Sequence, residues 1–359
     1  MVSLIFAFFT SFIATILIIR TQKLHGRISA DHQLDGPQKF HMHAVPRIGG
    51  LAIGLGILIA IAVHQQQADA FTTQITLLFC TLPTFLIGLL EDLTKKISVR
   101  LRLIFTALSA LMAVLLLDAQ ISSVAIPYID YLLSFSIIST LFTVFAITGL
   151  ANAYNIIDGF NGLSSMVGII SLAAIGYISI SFNDSLIIFL SFSMMASIFG
   201  FFIWNYPRGL IFLGDGGAYF IGFWVATLSI LIICRHSEIS PWFALLINAY
   251  PISETLFTIY RRKVHQGKCP GHPDGIHFHS LIFRRVVNSV SPRNKLEWFS
   301  ANAKTSPYLW VFCSFACMPA VVFWHSTPIL IACFLFFCIS YVILYKKVVT
   351  FKTPYWMKF

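Results

Sequence analysis

Charge is what this sequence lacks. Of its 359 residues, only 11% are Asp, Glu, Lys or Arg, against roughly 25% in a soluble domain. So little charge cannot coat a water-facing surface of this size, which excludes a soluble globular protein. Acids are scarcer still, 14 against 24 Lys and Arg, for a net charge of +10. In a soluble chain that excess would suggest nucleic acid, but no RNA- or DNA-binding motif occurs, so no nucleic-acid partner is expected. The GxxxxGK[ST] phosphate loop is absent, which excludes a P-loop ATPase. Of the 7 cysteines, all but Cys269 lie in apolar runs. A free thiol there behaves as a small hydrophobe, so no disulfide framework is expected. No basic stretch precedes the first apolar run and Arg20 follows it, so residues 1–19 read as a retained span, not a cleaved leader.

What remains is apolar: 57% hydrophobic residues and a mean hydropathy of +0.82. A spanning helix needs about 20 such residues. Candidate spans are 2–20, 48–63, 73–90, 101–117, 136–151, 162–181, 185–204, 216–234, 241–260, 308–324 and 328–345. The expected fold is therefore an all-α polytopic membrane protein of about eleven transmembrane helices. It forms one domain over 1–359, with its motifs between 35 and 285. If the N-terminus is outside, 23 of the 24 Lys and Arg fall on the inner side and only Arg235 remains outside. Cytoplasmic loops carry such an excess, so the chain is expected to run from an outside N-terminus to a cytoplasmic C-terminus.

Every unusual polar cluster falls on that inner side. Residues 35–50, DGPQKFHMHAVPRIGG, place Lys39, His41, His43 and Arg47 at the membrane surface, where cations suit phosphate or are ordinary juxtamembrane charge. Glu91 and Asp92 end an apolar helix, where the helix dipole disfavours carboxylates unless a cation or metal is near. Lys95, Lys96, Arg100 and Arg102 follow them. In LANAYNIIDGFNGLSS, Asn152, Asn155 and Asp158 are three apart and share one helical face. Amides and a carboxylate at a membrane helix end are costly unless they bind something. In FLGDGGAYFIGF, Asp215 sits between glycines at a helix start, suited to Mg²⁺ held against a phosphate, or to a plain N-cap. Glu254 lies inside an apolar helix that ends at Arg261 and Arg262, as a functional carboxylate or one half of a structural pair. The longest inner loop carries Cys269, His272, Asp274, His277 and His279. Zinc is the weaker reading there because a second Cys pair is missing, and diphosphate recognition by imidazoles and arginines is the better one.

These motifs, in this order and on one membrane face, resemble the polyprenyl-phosphate N-acetylhexosamine-1-phosphate transferases. The markers are PRIGG at 46–50, the acidic pair at 91–92, NAYNIIDGFNGL at 152–163, FLGDGGAYFIG at 212–222, SETLFTIYRR at 253–262 and HPDGIHFH at 272–279. The resemblance implies transfer of N-acetylhexosamine 1-phosphate from a UDP-N-acetylhexosamine to undecaprenyl phosphate. UMP leaves, and a lipid-linked cell-surface glycan begins at the cytoplasmic face of the bacterial inner membrane, with membrane lipid as the surrounding partner. By resemblance, Asp215 and Asn155 would hold Mg²⁺ or Mn²⁺, and Asp92 with Glu91 would orient or deprotonate the lipid phosphate. Arg100 would meet phosphate, and Asn152 and Asp158 would line the nucleotide pocket. His41 (or His43), Arg262, His272, His277 and His279 would bind substrate. The family usually has Asp where this chain has Glu91, whose extra methylene moves the carboxylate outward. The sibling that takes UDP-MurNAc-pentapeptide carries a TPTMGG-type element and a following HFE, where this chain has VPRIGG and HFHS. A transporter is the alternative from another class, and would place its polar groups near the midplane and not at helix ends. Which sugar is transferred, which polymer is started and whether a homodimer forms are left open.

Overall fold

The computed structural model describes residues 1–31, 44–64, 68–268, 274–287, 295–352 and 354. Lys39, His41, His43, Cys269 and His272 lie outside the described residues. Helix α1 (Val2–Arg20) is followed by the short α2 (Gln22–Ser29) and an antiparallel hairpin of β1 (Ala30–Asp31) and β2 (Val45–Pro46). The rest is helical: α3 (Gly49–Val63), α4 (Ala68–Thr94), α5 (Val99–Leu117), α6 (Pro127–Leu133), α7 (Ser136–Ile157), α8 (Leu163–Ser181) and α9 (Ser185–Asn205). Then come α10 (Gly214–Arg235), α11 (Pro241–Ile247), α12 (Ala249–Tyr260), α13 (Phe278–Ile282), α14 (Lys295–Val322) and α15 (Thr327–Val349).

Among the described residues, 9 helices are long and apolar enough to cross a membrane: α1, α4, α5, α7, α8, α9, α10, α14 and α15. The chain is a multi-pass membrane protein, but the expected count of eleven full spans is corrected to nine. Two expected spans fall short for separate reasons. Helix α3 has 15 residues, about 22 Å of helix at 1.5 Å per residue, less than the roughly 30 Å hydrocarbon core. The stretch 241–260 is broken at Asn248 into α11 and α12. Pro251 has no N–H to give the carbonyl of Ile247. That carbonyl instead accepts from Ser171 Oγ at 3.0 Å. The Asn248 side chain is drawn outward too, accepting from Tyr154 Oη at 3.2 Å and donating to Ser229 Oγ at 3.2 Å.

The bundle is built around α10. Of its apolar window 89% is buried, against 22% for α1 and 17% for α15. Its first turns meet α3 and α4 at a junction of glycines. A methyl group on Gly88 would lie 2.7 Å from the Gly216 Cα, and one on Gly50 would lie 2.5 Å from the Gly217 Cα. No side chain fits between these backbones, so the ends of three helices are drawn to a single point.

Candidate active site

The glycine junction places the PRIGG segment, the acidic pair and the Asp215 turn side by side. The Arg47 N–H donates to Ser29 O at 2.9 Å, and Gly49 N–H and Gly50 N–H donate to Phe212 O and Leu213 O, both at 3.1 Å. Asp92, only 1% exposed, accepts from the backbone N–H groups of Asp215 at 2.8 Å and Gly216 at 2.9 Å. It therefore caps α10 from a neighbouring helix, satisfying two of the N–H groups that a helix start leaves without partners. Arg47 Nη2 lies 3.6 Å from Asp92 Oδ1 and 3.2 Å from Asp215 Oδ1, and Arg102 pairs with Asp215 Oδ2.

Arg102 was named among the four cations after the acidic pair, but the resemblance gave the phosphate role to Arg100. Ser98 Oγ caps α5 by accepting from Leu101 N–H at 3.2 Å, which sets the helix phase. Arg102 then falls on the stripe of Thr106, Ser109, Ala110 and Ala113, all buried, while Arg100 is exposed. The spacing 102, 106, 109, 110, 113 is one helical face, recognisable once the Ser98 cap fixes where α5 begins. Glu91 Oε2 accepts from Ile97 N–H at 2.7 Å, locking the turn before α5.

Asn152, Asn155 and Asp158 lie on one face at the end of α7, half-buried, while Ala153, Tyr154 and Ile157 between them are buried. Asn152 Oδ1 accepts from Tyr219 Oη at 3.0 Å, tying this face to α10. Burial, with the negative charge of Asp215 adding to it and Arg47 opposing, pushes the Asp158 carboxyl up to about 7. The next residue, Gly159, is the seat of His279: a methyl group there would lie 2.9 Å from the His279 Nε2. The rings of His279 and His277 stack with centroids 5.1 Å apart. Burial pulls the His279 imidazole down to about 3, so that ring is neutral near pH 7 and donates a single N–H.

Arg261 and Arg262 are both buried at the end of α12. Arg261 pairs with Asp274 at the start of the histidine segment. Burial pushes the Asp274 carboxyl up, but the bond from Arg261 and the charges of His277 and Arg261 outweigh it and hold Asp274 below the usual carboxylate range. Nε and Nη1 of Arg261 and Nδ1 of His279 are buried with no hydrogen-bond partner among the described residues. Such orphaned groups are costly unless a ligand meets them.

The polar residues thus gather at the helix ends of one face: the end of α4, the starts of α3, α5 and α10, and the end of α7. That arrangement differs from the midplane placement of a transporter site. The sequence profile of glycosyl transferase family 4 matches residues 74–233. An undecaprenyl-phosphate alpha-N-acetylglucosaminyl 1-phosphate transferase of Pasteurella multocida is 34% identical over 266 residues, covering 70% of this chain and 71% of that protein. The chain belongs to glycosyl transferase family 4. A protein of the same name from Thermotoga maritima is 29% identical over 255 residues, 70% of this chain and 74% of its own length. A probable undecaprenyl-phosphate N-acetylglucosaminyl 1-phosphate transferase of Bacillus subtilis is 25% identical over 285 residues, 79% of this chain and 78% of its own length. The family 4 match takes in the acidic pair, Arg102, the Asn152–Asp158 face and Asp215, and leaves out PRIGG and the histidine segment.

The donor set fits a divalent cation of the Mg²⁺ kind. Asp215 meets Arg47 and Arg102, Arg47 also lies 3.6 Å from Asp92, and the charges of Asp215 and Arg47 reach Asp158. Among the described residues no three His, Cys, Asp or Glu side chains gather as a ligand group. Mg²⁺ needs only one or two carboxylates and takes its other ligands from phosphate and water, whereas zinc takes three or four protein ligands.

Proposed function

We propose that this chain transfers N-acetylhexosamine 1-phosphate from a UDP-sugar to undecaprenyl phosphate at the cytoplasmic face of a bacterial inner membrane. The observation that carries this reading is the meeting of Asp215, Arg47 and Arg102 with the Asn152–Asp158 face and His279 at one end of the bundle. The names of the relatives favour N-acetylglucosamine as the sugar. In the reaction, an oxygen of the lipid phosphate attacks the β-phosphorus of the UDP-sugar. The bond from that phosphorus to the bridging oxygen breaks, and UMP leaves with the electron pair.

The residues divide as follows. Asp215 and Asn155 would hold Mg²⁺, which when bound neutralises charge on the diphosphate. Arg47 and Arg102, already at Asp215, turn a guanidinium to the phosphate oxygens, for which a planar fork is well matched. Asp92, with both oxygens engaged at the start of α10, orients this assembly, and Glu91 supports it by holding the turn before α5. Asn152 and Asp158 line the nucleotide side. His277, His279, Arg261 and Arg262 face the sugar diphosphate, where the unpartnered donors of Arg261 and His279 find acceptors. His41 and His272 belong to the same binding set by their position in the motifs.

The test is direct. Purified protein in lipid nanodiscs is supplied with undecaprenyl phosphate, Mg²⁺ and a panel of sugar-labelled UDP-sugars, and label in the lipid phase is counted. The expected result is Mg²⁺-dependent labelling from UDP-N-acetylglucosamine with one UMP released per lipid labelled. Labelling from UDP-MurNAc-pentapeptide alone, or from no donor at all, overturns the proposal. Reporter domains fused after Phe359 and after Gln66 check the orientation, and the expected signals are cytoplasmic and external respectively.

A further inference from the structure

Three polar side chains that the site above does not use converge behind the histidine segment, and two of them come from the last helix. Glu254 on α12 is fully buried. Its Oε1 lies 3.0 Å from His277 Nδ1 and 3.2 Å from the Phe278 N–H, and its Oε2 accepts from Tyr341 Oη at 3.0 Å. Thr258 Oγ1 lies 3.2 Å from the same His277 nitrogen. Four residues along α15, the hydroxyl of Tyr345 donates to Ile276 O at 2.9 Å. At the end of that helix Arg285 donates to Val348 O at 3.1 Å and to Val349 O. The segment 276–285 is thus pinned to α15 at three levels, one helical turn apart.

A carboxylate facing an imidazole settles which ring nitrogen carries the proton, because only an N–H can satisfy it. Against Glu254 that nitrogen is Nδ1, so the neutral ring keeps its lone pair on Nε2. A buried carboxylate is itself tolerated only when donors surround it. The donors here are the ring, the Phe278 amide and the Tyr341 hydroxyl, and the last fixes the carboxylate from the far side. Tyr341 and Tyr345 lie well beyond residues 74–233, where the family profile matches.

We propose that Glu254, Tyr341 and Tyr345 are positioning residues that make α15 the brace of the histidine segment, holding His277 with Nδ1 protonated and Nε2 turned to the sugar of the donor, where it accepts from a hydroxyl or amide N–H. The kinetic part rests on the reaction proposed above, and the positional part does not. His277 stacks on His279, which sits on Gly159, so a shift of the brace reaches the floor of the site through two rings in contact.

The experiment uses full-length protein in nanodiscs and Tyr341→Phe, which removes one hydroxyl and keeps the ring that packs against Phe278 and Phe257. Hydrogen exchange of the amides of 276–282 is the first readout, and faster exchange there is expected while the amides of α10 keep their wild-type rates. For kinetics, loss of a hydrogen bond to a charged group corresponds to roughly tenfold. That loss is expected in kcat/KM for the UDP-sugar, with KM for undecaprenyl phosphate unchanged and the acidic limb of the pH profile displaced. In a His277→Ala background the same change should cost under about twofold, because residues acting through one another are not additive. Glu254→Gln, where it folds, should show the same pattern.

Exchange unchanged by Tyr341→Phe overturns the brace whatever the activity. Losses from Tyr341→Phe and His277→Ala that multiply overturn the action through His277. If the wild-type protein labels no lipid from any donor while exchange still responds to Tyr341→Phe, the brace stands and the proposed reaction falls.

Discussion

Replacing Asp92 separates stability from chemistry. Its carboxylate is 1% exposed and accepts two backbone N–H bonds at the start of α10, with Arg47 at 3.6 Å. Asp92→Ala removes both acceptors and takes a counter-charge from the Arg47 guanidinium. Breaking a buried pair by deleting one partner costs about 3–5 kcal/mol. Asp92→Asn keeps one acceptor oxygen but turns an amide N–H₂ towards the second backbone N–H and removes the charge. Its cost is about 1–3 kcal/mol, the value of one charged hydrogen bond. Thermal unfolding in nanodiscs should therefore rank wild type above Asp92→Asn above Asp92→Ala. Asp215→Asn is the comparison: it leaves the cap of α10 intact but weakens the pairs with Arg47 and Arg102, so turnover should fall while its unfolding temperature stays above that of Asp92→Ala. The reasoning is refuted if Asp92→Ala unfolds at the wild-type temperature while losing turnover, because Asp92 would then act in the chemistry alone.

Three further outcomes are expected. Arg102→Gln should lower turnover by tenfold or more, on the order of a lost charged hydrogen bond, while Arg100→Gln changes it by less than about twofold, as exposed charges do; steady-state rates on matched samples check both. Glu91→Gln should keep more activity than Glu91→Asp, because Gln still reaches the Ile97 N–H at the wild-type distance of 2.7 Å and Asp does not. A carboxyl raised to about 7 is neutral below that pH and charged above it, so use of the UDP-sugar should improve as pH rises through about 7. Asp158→Asn should flatten that rise, and a rise that persists in the variant assigns it to another group.

Much of this arrangement was legible in the residues. The Asn152, Asn155 and Asp158 face followed from a spacing of three, and the glycines around Asp215 marked the helix start where the site forms. The positions that escaped did so for identifiable reasons. Arg100 and Arg102 look equivalent until Ser98 sets the phase of α5, and the stripe beginning at Arg102 was readable only with that phase in hand. The span 241–260 has the composition of a membrane helix, and its break needs partners from α7, α8 and α10 that no local pattern reveals. The cap that Asp92 gives α10 joins residues 123 apart in sequence, so the carboxylate announced itself while its task did not. Tyr341 and Tyr345 are ordinary residues in an apolar helix until their hydroxyls are followed to Glu254 and Ile276.

The unequal burial of the two helices that serve the site has a mechanical consequence. Helix α10, which carries Asp215, is almost wholly wrapped by other helices, with 89% of its apolar window buried, whereas α15 has only 17% buried and leaves the rest on the outside of the bundle. Lateral pressure and bilayer thickness act on surfaces that lipid touches. They therefore load α15 directly and reach α10 only after passing through its neighbours. A thicker or stiffer membrane is expected to tilt α15 before it disturbs the spacing of the carboxylates and arginines at the glycine junction. Lipid composition is thus expected to tune the grip on the sugar diphosphate separately from the Asp215 half of the site.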